Sequence, residues 1–244
     1  MLKKTEGIVL RTLKHQESNL ITTIYTREYG LRSFILTGYR SARSRKRHSY
    51  FQPLSIIEVV YMERANRDLQ KVSESKLSVL LHELQTHPIK LSLGLAIVEI
   101  FFDTVKEVEQ NLPMYEQLRT VILALDKAPK RLIQLFIWFL LHHTRYLGFF
   151  PHDQSDGSRF ASFDPKSGVF QAVPHDGDPV GQMLRYFVYV KPTLLPEADS
   201  CQNLRFDSNI KRHLIRTLFE YYEAHIDGFR YPQTMKVFAE VFGE

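Results

Sequence analysis

GIVLRTLKHQESNLITTIYTREYGLRSFILTG, residues 7 to 38, contains three short apolar runs: GIVLRTL (7 to 13), NLITTIYT (19 to 26) and LRSFILTG (31 to 38). Short runs rich in β-branched residues and punctuated by turns read as strands of a small all-β unit. The connection Arg27 to Gly30, REYG, ends in a glycine that can take a positive φ, so the second and third strands are expected to form a hairpin. LSIIEVVY (54 to 61) and LQKVSES (69 to 75) follow, which makes five strands in about 70 residues. A five-stranded, partly open barrel of this size is the OB-fold, whose open face and loops bind oligonucleotides. A small barrel of the SH3 type fits the same strand count.

The connection between the third and fourth strands carries GYRSARSRKRH, residues 38 to 48. Arg40, Arg43, Arg45, Lys46 and Arg47 are permanently cationic, His48 can become so, and no carboxylate interrupts them. Tyr39 precedes the run, and Tyr50 and Phe51 follow it. Cations with planar side chains at both ends suit a polyanion that also carries stackable rings, which describes a nucleic acid better than a membrane surface. A bare basic loop can also be no more than a solvated edge.

The charge is unevenly placed. Residues 1 to 79 hold 15 Lys and Arg against 7 Asp and Glu, a balance of +8, while the remainder holds 17 against 20, a balance of −3. Such asymmetry points to a nucleic-acid-facing module joined to one with a different task. A composition 44% hydrophobic and 24% charged excludes a disordered tail. The longest apolar run, near Leu132 to Leu141, falls short of the ~20 residues needed to span a bilayer. The opening MLKKTEGIVLRT offers no apolar core of a secretory signal, so a cytoplasmic location is expected. The single Cys201 excludes an internal disulfide and a thiolate-rich zinc site.

After Lys76 the pattern turns helical. Leu77 to His87 reads as a helix closed by Pro88, and Leu91 to Val108 as a second with Leu95, Val98 and Phe102 on its apolar face. Asn111 and Pro113 look like the entry to a third, with Met114, Leu118, Val121, Ile122 and Leu125 inward. Lys130 to Tyr146, apolar almost all round, belongs at the centre of a helical core, with Trp138 part of that core. Helices resume with Asp178 as cap and Pro179 in the first turn, again from Asp207 and Ser208, and finally over Met235 to Phe242.

Gly148 to Asp178 breaks the helical pattern and reads as a long irregular insertion. It contains two His and Asp clusters: His152 with Asp153 and Asp156, and His175 with Asp176 and Asp178. Imidazole and carboxylate can hold a divalent cation, but the same residues build polar turns, which is the favoured reading. His142 and His143 are adjacent on a helix, point about 100° apart and cannot share a ligand face, so at least one is expected to be exposed. Nucleophile elbows, phosphate-cradling glycine loops and helical zinc-binding histidine pairs are absent from the sequence, and no enzyme is expected.

The order of a basic barrel, a helical bundle and an insertion among helices resembles the bacterial recombination mediator family RecO. The likeness is strongest over residues 6 to 54. It includes Glu17-Ser18 before the second strand, a Thr-Arg-Glu-x-Gly turn (Thr26, Arg27, Glu28, Gly30), and Gly38, Arg40 and Ser44 of a Gly-x-Arg-x-x-x-Ser segment. Further on it rests on Tyr146-Leu147-Gly148-Phe149, then Phe163-Asp164 to Gly168-Val169-Phe170. The resemblance implies an α+β multidomain chain, with an OB-fold β-barrel domain over residues 1–79 and an α-helical domain over 80–244. It also implies that the insertion at about 148–178 replaces the family's zinc-binding region. Many members hold zinc there on four cysteines, yet residues 151 to 178 contain none. No zinc or other cofactor is therefore expected, and Phe149, Phe150, Phe160, Phe163 and Phe170 must hold the insertion unless it is partly mobile.

The resemblance further implies a non-enzymatic repair protein, cytoplasmic and nucleoid-associated. It would bind single- and double-stranded DNA, anneal complementary strands, and with RecR help load RecA on strands coated by single-stranded-DNA-binding protein (SSB). Arg11, Lys14 and Arg32 of the barrel, with Tyr39, Arg40, Arg43, Arg45, Lys46 and Arg47, are the candidate DNA-binding residues. Lys127, Lys130 and Arg131 are the candidates for the acidic SSB tail. An RNA-binding OB protein and a metal-dependent nuclease using the insertion's His and Asp residues are the alternatives.

Overall fold

A computed structural model describes residues 1–16, 18–38, 49–64, 67–105, 109–175, 178–190 and 206–242. Strands β1 (Leu2–His15), β2 (Asn19–Thr26), β3 (Gly30–Thr37), β4 (Ile56–Met62) and β5 (Leu69–Leu77) close a barrel in the order β1-β2-β3-β5-β4. All pairings are antiparallel except the one that closes the barrel. There β3 meets β5 in parallel over three pairs, Ser33 with Leu69, Phe34 with Gln70 and Ile35 with Lys71. The OB-fold reading holds.

Side-chain alternation explains the closure. Val9, Ile24, Phe34, Leu36, Val59 and Tyr61 point into one core, while their sequence neighbours face out. A bulge between Val9 and Arg11 shifts the alternation of β1 and bends it round the barrel. The β2–β3 hairpin forms where the sequence places it. Gly30 has φ +63°, and the Thr26 hydroxyl donates to Gly30 O (2.7 Å) while accepting from Tyr29 N (3.2 Å).

The chain divides into two compact units, Met1–Asp126 with Val237–Glu244, and Lys127–Lys236. Besides the barrel, the first therefore contains α1 (Pro88–Thr104) and α2 (Leu112–Lys127, up to Asp126), with the end of the last helix. Phe101 of α1 and Tyr115 of α2 pack on Tyr25 of β2 at 4.8 and 6.4 Å between ring centroids, and all three rings are buried. Each such ring contributes roughly 2–3 kcal/mol of transfer free energy. Residues 77 to 87 do not form the expected helix. The Asp126 carboxylate accepts from the backbone N–H of His82, Glu83 and Leu84 at 3.4, 2.9 and 2.8 Å, drawing those donors away from a helical ladder. Pro88 instead opens α1 at its first turn, where its fixed φ suits a helix start, and His87 caps it. Helix α1 ends at Thr104, short of the expected Val108.

In the second unit α3 (Leu132–Leu147) is buried along most of its length, and α4 (Pro179–Tyr189) and α5 (Ser208–His225) pack on it. Trp138 is core, 6% exposed, and donates from Nε1 to Val190 O at 3.1 Å. The expectation that His142 or His143 would be exposed is corrected. His143 is fully buried and stacks on Phe139 (5.2 Å), while half-buried His142 stacks on Trp138 (4.3 Å), its Nε2 2.9 Å from Phe187 O. Helix α4 brings Phe187 O to His142, and the Phe139 ring covers His143.

The insertion lacks zinc-site cysteines but is not merely irregular. It carries a three-stranded sheet in the order β6-β8-β7, from β6 (His152–Asp153), β7 (Ala161–Asp164) and β8 (Val169–Ala172). Phe163 and Phe170 pack together at 4.8 Å, and Phe149 stacks on His225 at 5.0 Å. Helix α4 approaches β7 so closely that a Cβ on Gly181 would lie 2.7 Å from Phe163 N. Helix α6 (Gln233–Phe242) closes the described chain. No helix among the described residues is long and apolar enough to cross a membrane.

Candidate nucleic-acid interface

Strands β3 and β5 pair over only three residues, so the junction that closes the barrel is its shortest seam. At one end a cleft of about 480 Å³ is lined by Leu36, Thr37, Phe51, Met62, Arg64, Lys71, Val72, Ser73 and Ser75. At the other, a second hollow takes in Arg32, Ser33, Glu63, Arg64, Arg67, Asp68 and Gln70. Arg64 lines both, so the two follow one seam. Arg64, Arg67 and Lys71 are exposed along it. The β3–β4 connection leaves from Gly38, beside Thr37 on the rim, and returns through the 3₁₀ turn Ser49–Phe51, whose Phe51 also lines the cleft.

Gln70, 7% exposed, fixes the connection between β4 and β5. Its Oε1 accepts from Arg64 N (3.0 Å), and its Nε2 donates to Arg64 O (3.1 Å) and to Arg67 O. A buried side-chain amide that satisfies three backbone groups sets the loop's shape independently of whatever binds there.

Of the residues expected to bind DNA, Tyr39, Arg40, Arg43, Arg45, Lys46 and Arg47 lie outside the described residues. Arg11, Lys14 and Arg32 are described and do not converge. Arg32 pairs with Ile24, a core residue, and so faces the barrel mouth. Burial pushes the Tyr61 hydroxyl there up to about 12, with Glu63 adding to the rise and Arg32 opposing it. Lys14 pairs with Leu20, which pairs with Leu36 on the same side, so it belongs to the opposite end. Arg11 pairs with Thr23 on the outer surface, and its guanidinium stands over Phe102 of α1 at 5.6 Å. Arg64, Arg67 and Lys71 were missed in the sequence because Glu63 and Asp68 interrupt them, although the β4–β5 loop of an OB barrel is a usual ligand-binding element.

In the second unit Lys127 and Lys130 are exposed, while half-buried Arg131 takes φ +64° as the residue before α3. Of the His and Asp clusters of the insertion, His152 and Asp153 form β6, Asp156 lies in a turn and His175 in a bend. Asp153 accepts from Ser155 N (3.0 Å) and Arg185 Nε (2.8 Å). Asp178 caps α4 through Gly181 N at 2.9 Å; Asp176 lies outside the described residues. Among the described residues no three His, Cys, Asp or Glu side chains converge to hold a metal, and residues 151 to 178 offer none of the four cysteines on which many members of the resembling family hold zinc.

A family model described as "Recombination protein O N terminal" matches residues 1–79, and one described as "Recombination protein O C terminal" matches residues 85–234. The chain is 30% identical over 244 residues to the DNA repair protein RecO of Christiangramia forsetii, covering both chains completely. It is 28% identical over 240 residues to that of Flavobacterium psychrophilum, and 30% over 252 residues to that of Flavobacterium johnsoniae, each covering 98% of both chains.

Proposed function

The chain belongs to the recombination protein O family, whose role is in recombinational DNA repair, and on that premise we propose that it is a non-enzymatic mediator that grips DNA through the barrel. The observation that carries this reading is the cationic seam. Arg64, Arg67 and Lys71 line it, and the eleven-residue basic run starts from its rim at Gly38. Phosphate contacts from such a surface make binding salt-sensitive and sequence-neutral, for single and double strands alike. Annealing follows, because cations lower the repulsion between two strands while their base edges stay free to pair.

Residues 1–79 thus form the DNA module and residues 80–244 the partner module. Exposed Lys127 and Lys130, with Arg131, offer a basic rim to the acidic tail of SSB. Joined to RecR, such a protein helps place RecA on SSB-coated strands in the cytoplasm, at the nucleoid.

The test is fluorescence anisotropy of a labelled single-stranded oligonucleotide across a salt series. It compares wild type with a variant carrying Arg43→Ala, Arg45→Ala, Lys46→Ala and Arg47→Ala. The expected result is weaker binding and a log–log salt slope shallower by about 0.7 for each phosphate that the variant no longer neutralises. Equal binding by the two proteins refutes the assignment of the basic run, and preference for RNA of the same sequence refutes the DNA reading.

A further inference from the structure

Helix α4 presents one stripe that the core does not use. Gln182, Arg185, Tyr186 and Tyr189 stand at i, i+3, i+4 and i+7, on one face of the helix, while Gly181, Met183, Leu184 and Phe187 are buried. Opposite the stripe stands the turn Gly157-Ser158-Arg159 of the insertion, and the two walls enclose a pocket of about 530 Å³.

Each lining group has a chemistry suited to one ligand. Tyr189 is 67% exposed; among the described aromatic side chains the next, Tyr231, is 36%. Tyr189 is also held in place, because its hydroxyl donates to Asp153 Oδ2 at 2.9 Å. Arg185 is fixed by the same Asp153 oxygen (2.8 Å) and by Ser158 O (2.6 Å), and a guanidinium has five donors, so it keeps hydrogens for a ligand. Asp153 stays anionic: burial raises its pKa, but bonds from Ser155, Tyr189 and Arg185 outweigh this and hold it at about 2. Arg159 is exposed, its guanidinium 5.2 Å from the Phe160 ring. Gln182 Nε2 is enclosed and finds no hydrogen-bond acceptor among the described residues, a donor that costs free energy until something accepts from it.

We propose that this pocket is a second binding site for single-stranded DNA, taking one unpaired base against Tyr189 and its flanking phosphate at Arg159. A fixed, exposed ring beside guanidinium groups is how proteins hold single strands, since every base offers a π-face. A duplex has no free base face to give. An acidic peptide would meet only one uncompensated cation here, because Asp153 answers Arg185. The barrel and this pocket lie in different compact units, so one chain would hold two single strands, as annealing requires. The inference takes from the preceding reading only that the ligand is DNA; the pocket does not depend on the barrel's basic run.

The test is photo-crosslinking of the full-length chain to oligothymidylate containing 5-iododeoxyuridine, with peptide mapping and affinity measured in parallel. Wild type is expected to crosslink in the peptide carrying Tyr186 and Tyr189. Tyr189→Ala loses that crosslink and weakens single-strand binding about tenfold, whereas Tyr189→Phe, which keeps the ring, retains both. Arg159→Ala, on an exposed side chain, keeps the fold and weakens crosslinking. A crosslink that maps elsewhere, or wild-type crosslinking by Tyr189→Ala and Arg159→Ala, overturns the proposal. So does a Tyr189→Ala protein that binds DNA normally but no longer binds an acidic peptide. A variant with the basic run neutralised separates the two readings. If it binds as wild type while the Tyr189 crosslink persists, the barrel reading fails and this one stands.

Discussion

The Glu6 carboxylate accepts a hydrogen bond from the Tyr115 hydroxyl at 2.8 Å, joining β1 to α2 across 109 positions of sequence. It also accepts from Arg119 Nε at 3.1 Å and from the Ser78 hydroxyl. Burial raises the Glu6 pKa, but these bonds and the Arg119 charge outweigh it and hold it below the ordinary value of 4.5. A depressed carboxylate pKa stabilises the fold above the unfolded value, and that contribution is lost as pH falls through the folded one. Glu6→Gln is therefore expected to lower stability at pH 7 by roughly 2 kcal/mol and to flatten the loss below pH ~4.5. Urea denaturation across a pH series checks both.

His143 gives a pH dependence of different origin. Full burial disfavours its charged form and pushes its pKa down from 6.5 to about 3. Between those values the unfolded chain binds one proton more than the folded one, so stability falls as pH falls, by up to ~1.4 kcal/mol per pH unit. His143→Phe is expected to remove that slope whatever its effect at pH 7. Fluorescence of Trp138, the only tryptophan of the chain and in the same helix, reports the transition.

Arg64→Ala and Lys71→Ala, singly, are expected to weaken single-strand binding without sequence preference. Each should make the salt slope shallower by about 0.7, with unchanged melting temperatures because both side chains are exposed. Anisotropy on two oligonucleotides of different sequence measures this.

Gln70→Ala should act on shape rather than charge. It leaves Arg64 N without the amide oxygen that it donates to and Arg67 O without the amide donor, while Arg64 O keeps only Arg67 N at 3.1 Å, at a cost of roughly 2 kcal/mol. Hydrogen exchange at Arg64 N should quicken, and strand affinity should fall although no cation has been removed.

The barrel was legible because its strands alternate and carry β-branched residues, a signal contained within each run. What the sequence hid was held by distant residues. Leu77, Leu80, Leu81 and Leu84 have helical spacing, but their segment obeys Asp126, more than forty positions away. Strands of two to four residues, as in β6, β7 and β8, are too short to show a period. The seam cations Arg64, Arg67 and Lys71 become one surface only when β5 lies beside β3. The stripe from Gln182 to Tyr189 has plain helical spacing, yet nothing marks it as more than a solvated face until Arg159 stands opposite.

Tyr25 gives the barrel a dependence that its strand order conceals. Its ring is 1% exposed because Phe101 and Tyr115 cover it, and its hydroxyl lies 3.4 Å from Met114 Sδ. Cutting the chain after residue 79, where the N-terminal family match stops, would strip all three neighbours and leave an apolar wound on the outside of the sheet. The barrel is thus not a cassette that recombination of genes could lift out and graft elsewhere. Selection must carry it together with the two helices that follow, and drift in Tyr25, Phe101 or Tyr115 is answerable to the other two.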